Sequence, residues 1–170
     1  MRTLFFALVF VLTGSLPAQA EVLWSQDRDF YVDPPQGWTF VEDPSPEHFV
    51  MTDPSRKVIL EIFSQDKGKE ALATKAADLQ TRLKARGDAD TFSWNDRNAW
   101  LGDQSWTIQL PSGALPVRGW ALVADDGDQW VSALAYTPAT NYDAASDVLI
   151  SSLDSLALGT VGRRETAPGL

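Results

Sequence analysis

The sequence predicts an α+β domain, specifically an α/β/α sandwich with a central, mostly antiparallel sheet. Three observations carry this. Strand-like segments follow one another through tight turns, at Asn95-Asp96-Arg97-Asn98, at Pro111-Ser112-Gly113 and at Asp125-Asp126-Gly127-Asp128, as an antiparallel sheet requires. Two segments change to helical spacing, one in mid-chain and one near the end. Finally, Trp130-Val131-Ser132-Ala133-Leu134-Ala135-Tyr136 and Trp120-Ala121-Leu122-Val123-Ala124 are apolar at both alternate positions. A sheet with one wet face would alternate apolar with polar, so these strands are expected to be covered on both sides.

The elements follow in order. Val22 to Asp27 reads as a lead-in. Asp29-Phe30-Tyr31-Val32-Asp33 alternates as a first strand and stops at Pro34-Pro35, because proline cannot donate to a ladder. A turn through Gln36-Gly37-Trp38 leads to short strands at Thr39–Glu42 and His48–Thr52, and Asp53-Pro54-Ser55-Arg56 has turn chemistry. Lys57–Phe63 is the strongest strand, rich in β-branched and apolar residues. Leu72, Ala76, Leu79 and Leu83 then recur at helical spacing with Lys75, Asp78, Arg82 and Lys84 on the flanks and far side. This predicts a helix over Glu70–Arg86 ended by Gly87. Strands resume at Thr91–Trp94, Ala99–Leu101, Ser105–Leu110, Val117–Ala124 and Gln129–Thr137. A last helix is expected from a cap at Thr140 or Asn141, with Tyr142, Ala145, Leu149, Leu153 and Leu156 inward and Gly159 and Gly162 at its end.

The first twenty residues address the protein. Arg2 precedes the apolar run Leu4–Leu12, and the segment closes on Ala18-Gln19-Ala20. This is the pattern of a cleavable signal peptide, and the run is too short to span a bilayer. Residues 1–20 are therefore expected to leave, residues 21–162 to form a single domain, and residues 163–170 to be a flexible tail. The destination is periplasmic or secreted. The chain contains no cysteine, which excludes disulfides, thiol chemistry and a lipid-modified N-terminal cysteine. No membrane span is expected. The formal charge of −9, lowered by one when Arg2 leaves, argues against nucleic acid as a partner, because like charge repels a phosphate backbone.

The residue inventory offers little chemistry. His48 is the single histidine. Without a G-x-S-x-G motif, it is read as a surface or edge-strand residue whose replacement by alanine leaves stability nearly unchanged. One histidine and no cysteine cannot supply a usual zinc set. Asp125, Asp126 and Asp128 lack the spacing of a calcium loop and read as a solvated hairpin turn. Glu42, Glu47, Glu61 and several aspartates could meet in space as a carboxylate pair, but nothing in the sequence marks any pair. No catalytic residue, metal or cofactor is therefore expected. Tryptophan is abundant, with seven in the chain. Most are expected in the core: Trp106 alternates with Ile108 and Leu110, and Trp94 with Phe92. Trp24 and Trp100 are flanked by polar or turn residues and are the ligand-binding candidates, exposed rings able to stack on a sugar.

The stretch Phe30-x-Val32-x-Pro34-Pro35-x-Gly37-Trp38 resembles the opening strand and Pro-x-Gly-Trp turn of PsbP-like domains, a family that includes PsbP, Mog and DcrB-type exported bacterial domains. The turn at Asp53-Pro54, the apolar strand Val58–Phe63, the helix after it and the closing hairpin and helix continue the resemblance over nearly all of the chain beyond the leader. It implies an α/β/α fold and a non-enzymatic role in binding or assembly, with the Pro35–Trp38 turn structural. The function expected is an exported domain that binds a protein partner in the cell envelope. The alternative is a small-ligand or glycan-binding module with an aromatic-rimmed pocket.

Overall fold

The computed structural model describes residues 23–25, 30–32, 35–41, 48–94 and 96–158. The leader, the tail, Gly159, Gly162, Glu42 and Glu47 lie outside them. The strands in chain order are β1 (Leu23–Ser25), β2 (Phe30–Val32), β3 (Thr39–Phe40), β4 (His48–Thr52) and β5 (Ile59–Asp66). Helix α1 (Leu72–Leu83) follows. Then come β6 (Ala89–Trp94), β7 (Arg97–Leu110), β8 (Gly113–Asp126) and β9 (Gln129–Pro138), and after a short 3₁₀ turn α2 (Tyr142–Asp154) and β10 (Leu156–Leu158). Every pairing among the described residues is antiparallel. The fold is α+β with a mostly antiparallel sheet, as the hairpin spacing predicts.

The large sheet runs β3-β4-β5-β9-β8-β7-β6, and a small one runs β1-β2-β10. In β9 the alternate residues divide between two apolar clusters. Val131, Ala133 and Ala135 join Leu122 and Ala124 of β8 and Tyr142, Ala145, Leu149 and Leu153 of α2. Trp130, Leu134 and Tyr136 join Ala121 and Val123 of β8, Trp100 and Trp106 of β7 and Ala76 and Leu79 of α1. Residues Gln129 to Thr137 are all buried. This is why the strand reads as continuously apolar rather than alternating.

Turn chemistry fixes the hairpins. The pairs Trp94↔Arg97, Leu110↔Gly113 and Asp126↔Gln129 leave two-residue loops. Gly127 adopts positive φ at the first central position of its turn, as a type II′ hairpin demands, and Asp96 adopts positive φ at the second position of another. Pro116 lies in β8 beyond the last residue paired with β9, Val117↔Pro138, so its missing N–H breaks no ladder bond on that side. At Pro35-Gln36-Gly37-Trp38 the amide of Trp38 donates to the carbonyl of Pro35 at 3.2 Å, and Gly37 has φ +86°. Positive φ at the third residue is the type II requirement, met by glycine. The turn delivers Trp38 into the α2-side cluster, where it is 2 % exposed.

The structure corrects several of these boundaries and one burial assignment. Helix α1 ends on Lys84 in the left-handed conformation, with the amides of Lys84 and Ala85 returning to Thr81 and Gln80, a Schellman closure one turn before Gly87. Gly87 serves a different need: a Cβ there would meet the Asp103 carbonyl oxygen at 1.9 Å, so the chain can cross β7 only without a side chain. Lys75, read as a flank residue of α1, is buried. The segments Ala99–Leu101 and Ser105–Leu110 form one strand, because β8 pairs with β7 continuously from Ala99↔Ala124 to Leu110↔Gly113. Helix α2 lacks a side-chain N-cap, since the chain enters through the 3₁₀ turn and Asn141 is already helical. It stops at Asp154, and Leu156 leaves the helix to pair with Val32 as part of β10.

Trp38→Ala is expected to lower unfolding free energy by about 3–5 kcal/mol, the usual cost of truncating a buried aromatic. Chemical denaturation checks this, and a wild-type midpoint would mean that the turn holds the sheet end without its indole.

Candidate functional site

The tryptophans sort by strand position. Trp38, Trp106 and Trp130 are core residues. Trp100, expected to be exposed, is only 8 % exposed and packs in the α1-side cluster. The correction follows from register: Trp100 stands opposite Val123 of β8 and Thr91 of β6, in the interior of the sheet, although its neighbours in sequence look like a turn. Trp24 lies in β1, and its side chain is outside the described part of the structure. Among the tryptophans whose burial is described, those that reach the surface are Trp94 and Trp120, both half-buried.

These two belong to a concave apolar site. A cavity of about 170 Å³ is lined by Phe92 and Trp94 of β6, Leu101 of β7, Trp120 and Leu122 of β8 and Ile150, Leu153 and Asp154 of α2. It lies where the edge of the sheet meets the last turns of α2. Phe92 is 38 % and Ile150 47 % exposed, so its rim is apolar and open to solvent. The Asp154 carboxylate is the single charge in the lining. The buried indole Nε1 of Trp120 has no hydrogen-bond partner among the described residues. Sequence reading placed Phe92 and Trp94 in the core because they alternate as a core strand does. The available signal was on the helix: Ile150 and Val148 flank Leu149, and helical rotation carries them off the inner stripe.

A second constellation was not foreseen. On the other face of the sheet, His48 of β4 lies opposite Phe63 of β5. The two rings stack with centroids 4.9 Å apart and planes at 7°. The imidazole Nε2 lies 2.9 Å from Oε1 of Glu61. Glu61 is buried, with 2 % exposure, and the Tyr136 hydroxyl of β9 donates to it. Burial pushes the Tyr136 phenol well above its ordinary range, and the neighbouring charge and hydrogen bond of Glu61 push it further. His48 is thus a positioned partner of a buried carboxylate rather than a free edge residue. Stacking and pairing of this kind hold three strands in register, β4, β5 and β9.

Several other charged groups are engaged structurally. Asp125 and Asp126 of the β8–β9 turn take Lys67 at 2.5 Å and Arg97 at 3.0 Å, and Gln129 also donates to Asp126. Lys67 lies over the Trp130 ring. Arg118 grips Asp103 with both Nε and Nη2 and stands 3.9 Å over the Tyr142 ring. That clamp fixes the start of α2 to β7 and β8. Lys75 is held low in pKa by burial, its ammonium 4.0 Å from Glu70. Among the described residues no group of three metal-ligating side chains converges.

Two outcomes are expected. His48→Ala removes a partner of a buried carboxylate and should cost about 1–3 kcal/mol, measured by thermal or urea unfolding; an unchanged midpoint would return His48 to the surface. Because the folded Tyr136 phenol holds its proton above the ordinary value, its contribution to stability is complete below pH about 10, where the unfolded chain begins to ionise, and is lost as pH rises further. The wild-type thermal midpoint should therefore fall across this alkaline range. Tyr136→Phe should start lower at neutral pH and fall less.

No protein-family model matches the chain, and no curated protein matches it in sequence. Solved structures do. The chain superposes on the solution structure of CyanoP, the cyanobacterial PsbP of Synechocystis sp. PCC 6803, with a TM-score of 0.61 at 14 % identity over 87 % of this chain and 97 % of that one. A Pseudomonas aeruginosa protein of unknown function gives a TM-score of 0.49 at 12 % identity over 78 % and 83 %. The superposition on CyanoP shows that this chain has a PsbP-like fold.

Proposed function

We propose that this is an exported, non-enzymatic PsbP-type domain, layered as an α/β/α sandwich, that binds a protein partner in the cell envelope through the groove between β6 and α2. The observation that carries the reading is the character of that groove. Its cavity of about 170 Å³ is smaller than the roughly 300–1,000 Å³ typical of small-molecule sites. Its lining holds one carboxylate among apolar groups, whereas a glycan site needs several convergent polar groups to orient hydroxyls. A shallow, open apolar surface with aromatic side chains suits a protein partner. The competing reading, a small ligand or glycan stacked on Trp94 and Trp120, draws on the unpartnered Trp120 Nε1. Export rests on the leader sequence, and the PsbP-like fold supports a binding role.

Photo-crosslinking in the native envelope tests this. A crosslinking residue in place of Phe92 should give one discrete protein adduct, and the same residue in place of Thr74, on the exposed side of α1, should give none. Intact mass of the recovered protein should begin at Glu21. Equal adducts from both positions, an adduct to glycan only, or a product retaining Met1 would overturn the corresponding part of the reading.

A further inference from the structure

Strand β6 is the last strand of the large sheet, and it pairs on one side only, with β7. Its residues Ala89 to Ser93 are all exposed. In an antiparallel ladder alternate residues direct N–H and C=O away from the partner strand, so β6 offers a row of unpaired backbone groups along its outer side. Natural sheets blunt such edges with proline, lysine, bulges or a covering element. β6 contains neither proline nor lysine, and among the described residues nothing pairs with its outer side. The face it shares with α2 carries Asp90, Phe92 and Trp94, as their pairing with Leu101, Ala99 and Arg97 fixes. Phe92 and Trp94 form the lip of the apolar cavity. A free strand edge beside a helix, with a side-chain cavity between them, is the geometry for binding an extended peptide by strand addition.

Charge selects the occupant. Helix α2 carries Asp143, Asp147 and Asp154 and no basic residue, and the β6 segment carries Asp88, Asp90 and Asp96. All six are exposed. Asp90, Asp96, Asp147 and Asp154 have no ion-pair partner among the described residues. The nearest basic side chain in the hairpin, Arg97, is held by Asp126. Asp90 and Asp96 on one bank and Asp147 and Asp154 on the other thus make both sides of the groove anionic around an apolar floor, while Asp143 lies at the far end of α2 beside Arg118. We propose that the groove binds an extended segment of a partner protein, added antiparallel or parallel to β6 as an eighth strand, with one apolar side chain in the cavity and Lys or Arg two residues to either side. The spacing of two follows from strand geometry, since i and i±2 share a face and Asp90 lies two residues from Phe92. A second copy of this chain fits poorly, because antiparallel pairing of β6 with its own copy would set Asp88 against Asp96 when centred on Phe92, and Asp90 against its own counterpart when centred on Asp90.

This inference rests on the reading that the groove takes a protein partner, and its test separates the two. The probe is a fluorescein-labelled peptide, Thr-Lys-Thr-Leu-Thr-Lys-Thr, titrated with the purified protein and followed by anisotropy. Two further peptides carry N-methyl groups, one on the threonine amides and one on the leucine and lysine amides. Strand addition uses only one of these two sets, so one methylated peptide should lose about tenfold or more in affinity, as for loss of two backbone hydrogen bonds, and the other should bind as the parent does. Added salt, Asp90→Asn with Asp154→Asn, and Glu in place of Lys in the peptide should each weaken binding. Equal binding by both methylated peptides would reduce the contact to surface charge and overturn the proposal, as would a dimer by light scattering that Phe92→Lys dissolves. A crosslinked protein partner at Phe92 without peptide binding would overturn strand addition alone. Loss of that crosslink would remove the protein-partner reading with it.

Discussion

Strand β9 shows almost nothing to solvent between Gln129 and Thr137, and the rest of the fold is arranged around keeping it dry. Each of its faces belongs to a different apolar cluster, one shared with α1 and the other with α2. Its neighbours β5 and β8 must then be apolar at alternate positions on both sides, and they are. The cost of this arrangement falls on the polar groups it encloses. Thr137 satisfies its hydroxyl on the Lys57 carbonyl at 2.7 Å, and Tyr136 reaches Glu61. The indole of Trp130 instead finds no acceptor among the described residues and lies under Lys67. A buried polar group without a partner is destabilising, so the apolar contacts of β9 must outweigh it.

Moving outward from β9, protection weakens in steps. Strands β8 and β5 are largely buried, and β7 alternates. β6 is exposed along nearly its whole length. On the α2 side the helix spans β9, β8 and β5 and leaves the β6 border open. The groove is therefore a consequence of how far one helix of 13 residues can reach across seven strands. The Arg118–Asp103–Tyr142 clamp sets where that helix begins, and so where its last turn meets Phe92.

The sequence displayed the hairpins, both helices and the double-faced burial of β8 and β9, because each leaves a local signature: a turn type, a period of 3.6, a run without alternation. The Trp38 turn was legible for the same reason, since Gly37 alone supplies the positive φ. What was not legible is set by register across strands distant in sequence. Trp100 looks exposed beside Asn98 and Gly102, yet its position opposite Val123 and Thr91 buries it. Phe92 looks buried by alternation, yet it lies on the edge. The approach of His48 to Glu61 and of Glu61 to Tyr136 joins residues up to 88 positions apart, and no spacing rule reaches that far.

The division of the indoles has an optical consequence. Four of the tryptophans sit in dry clusters, where an indole emits toward the blue and is screened from dissolved quenchers. Among the six tryptophans whose burial is described, Trp94 and Trp120 alone border solvent, and both line the same groove. Among these six, the red edge of the emission thus originates beside the cavity. Acrylamide or iodide reaching the groove will dim that edge first, and whatever fills the cavity will shield it, without any attached dye. The fold has placed a natural fluorophore pair at the apolar lining of the groove.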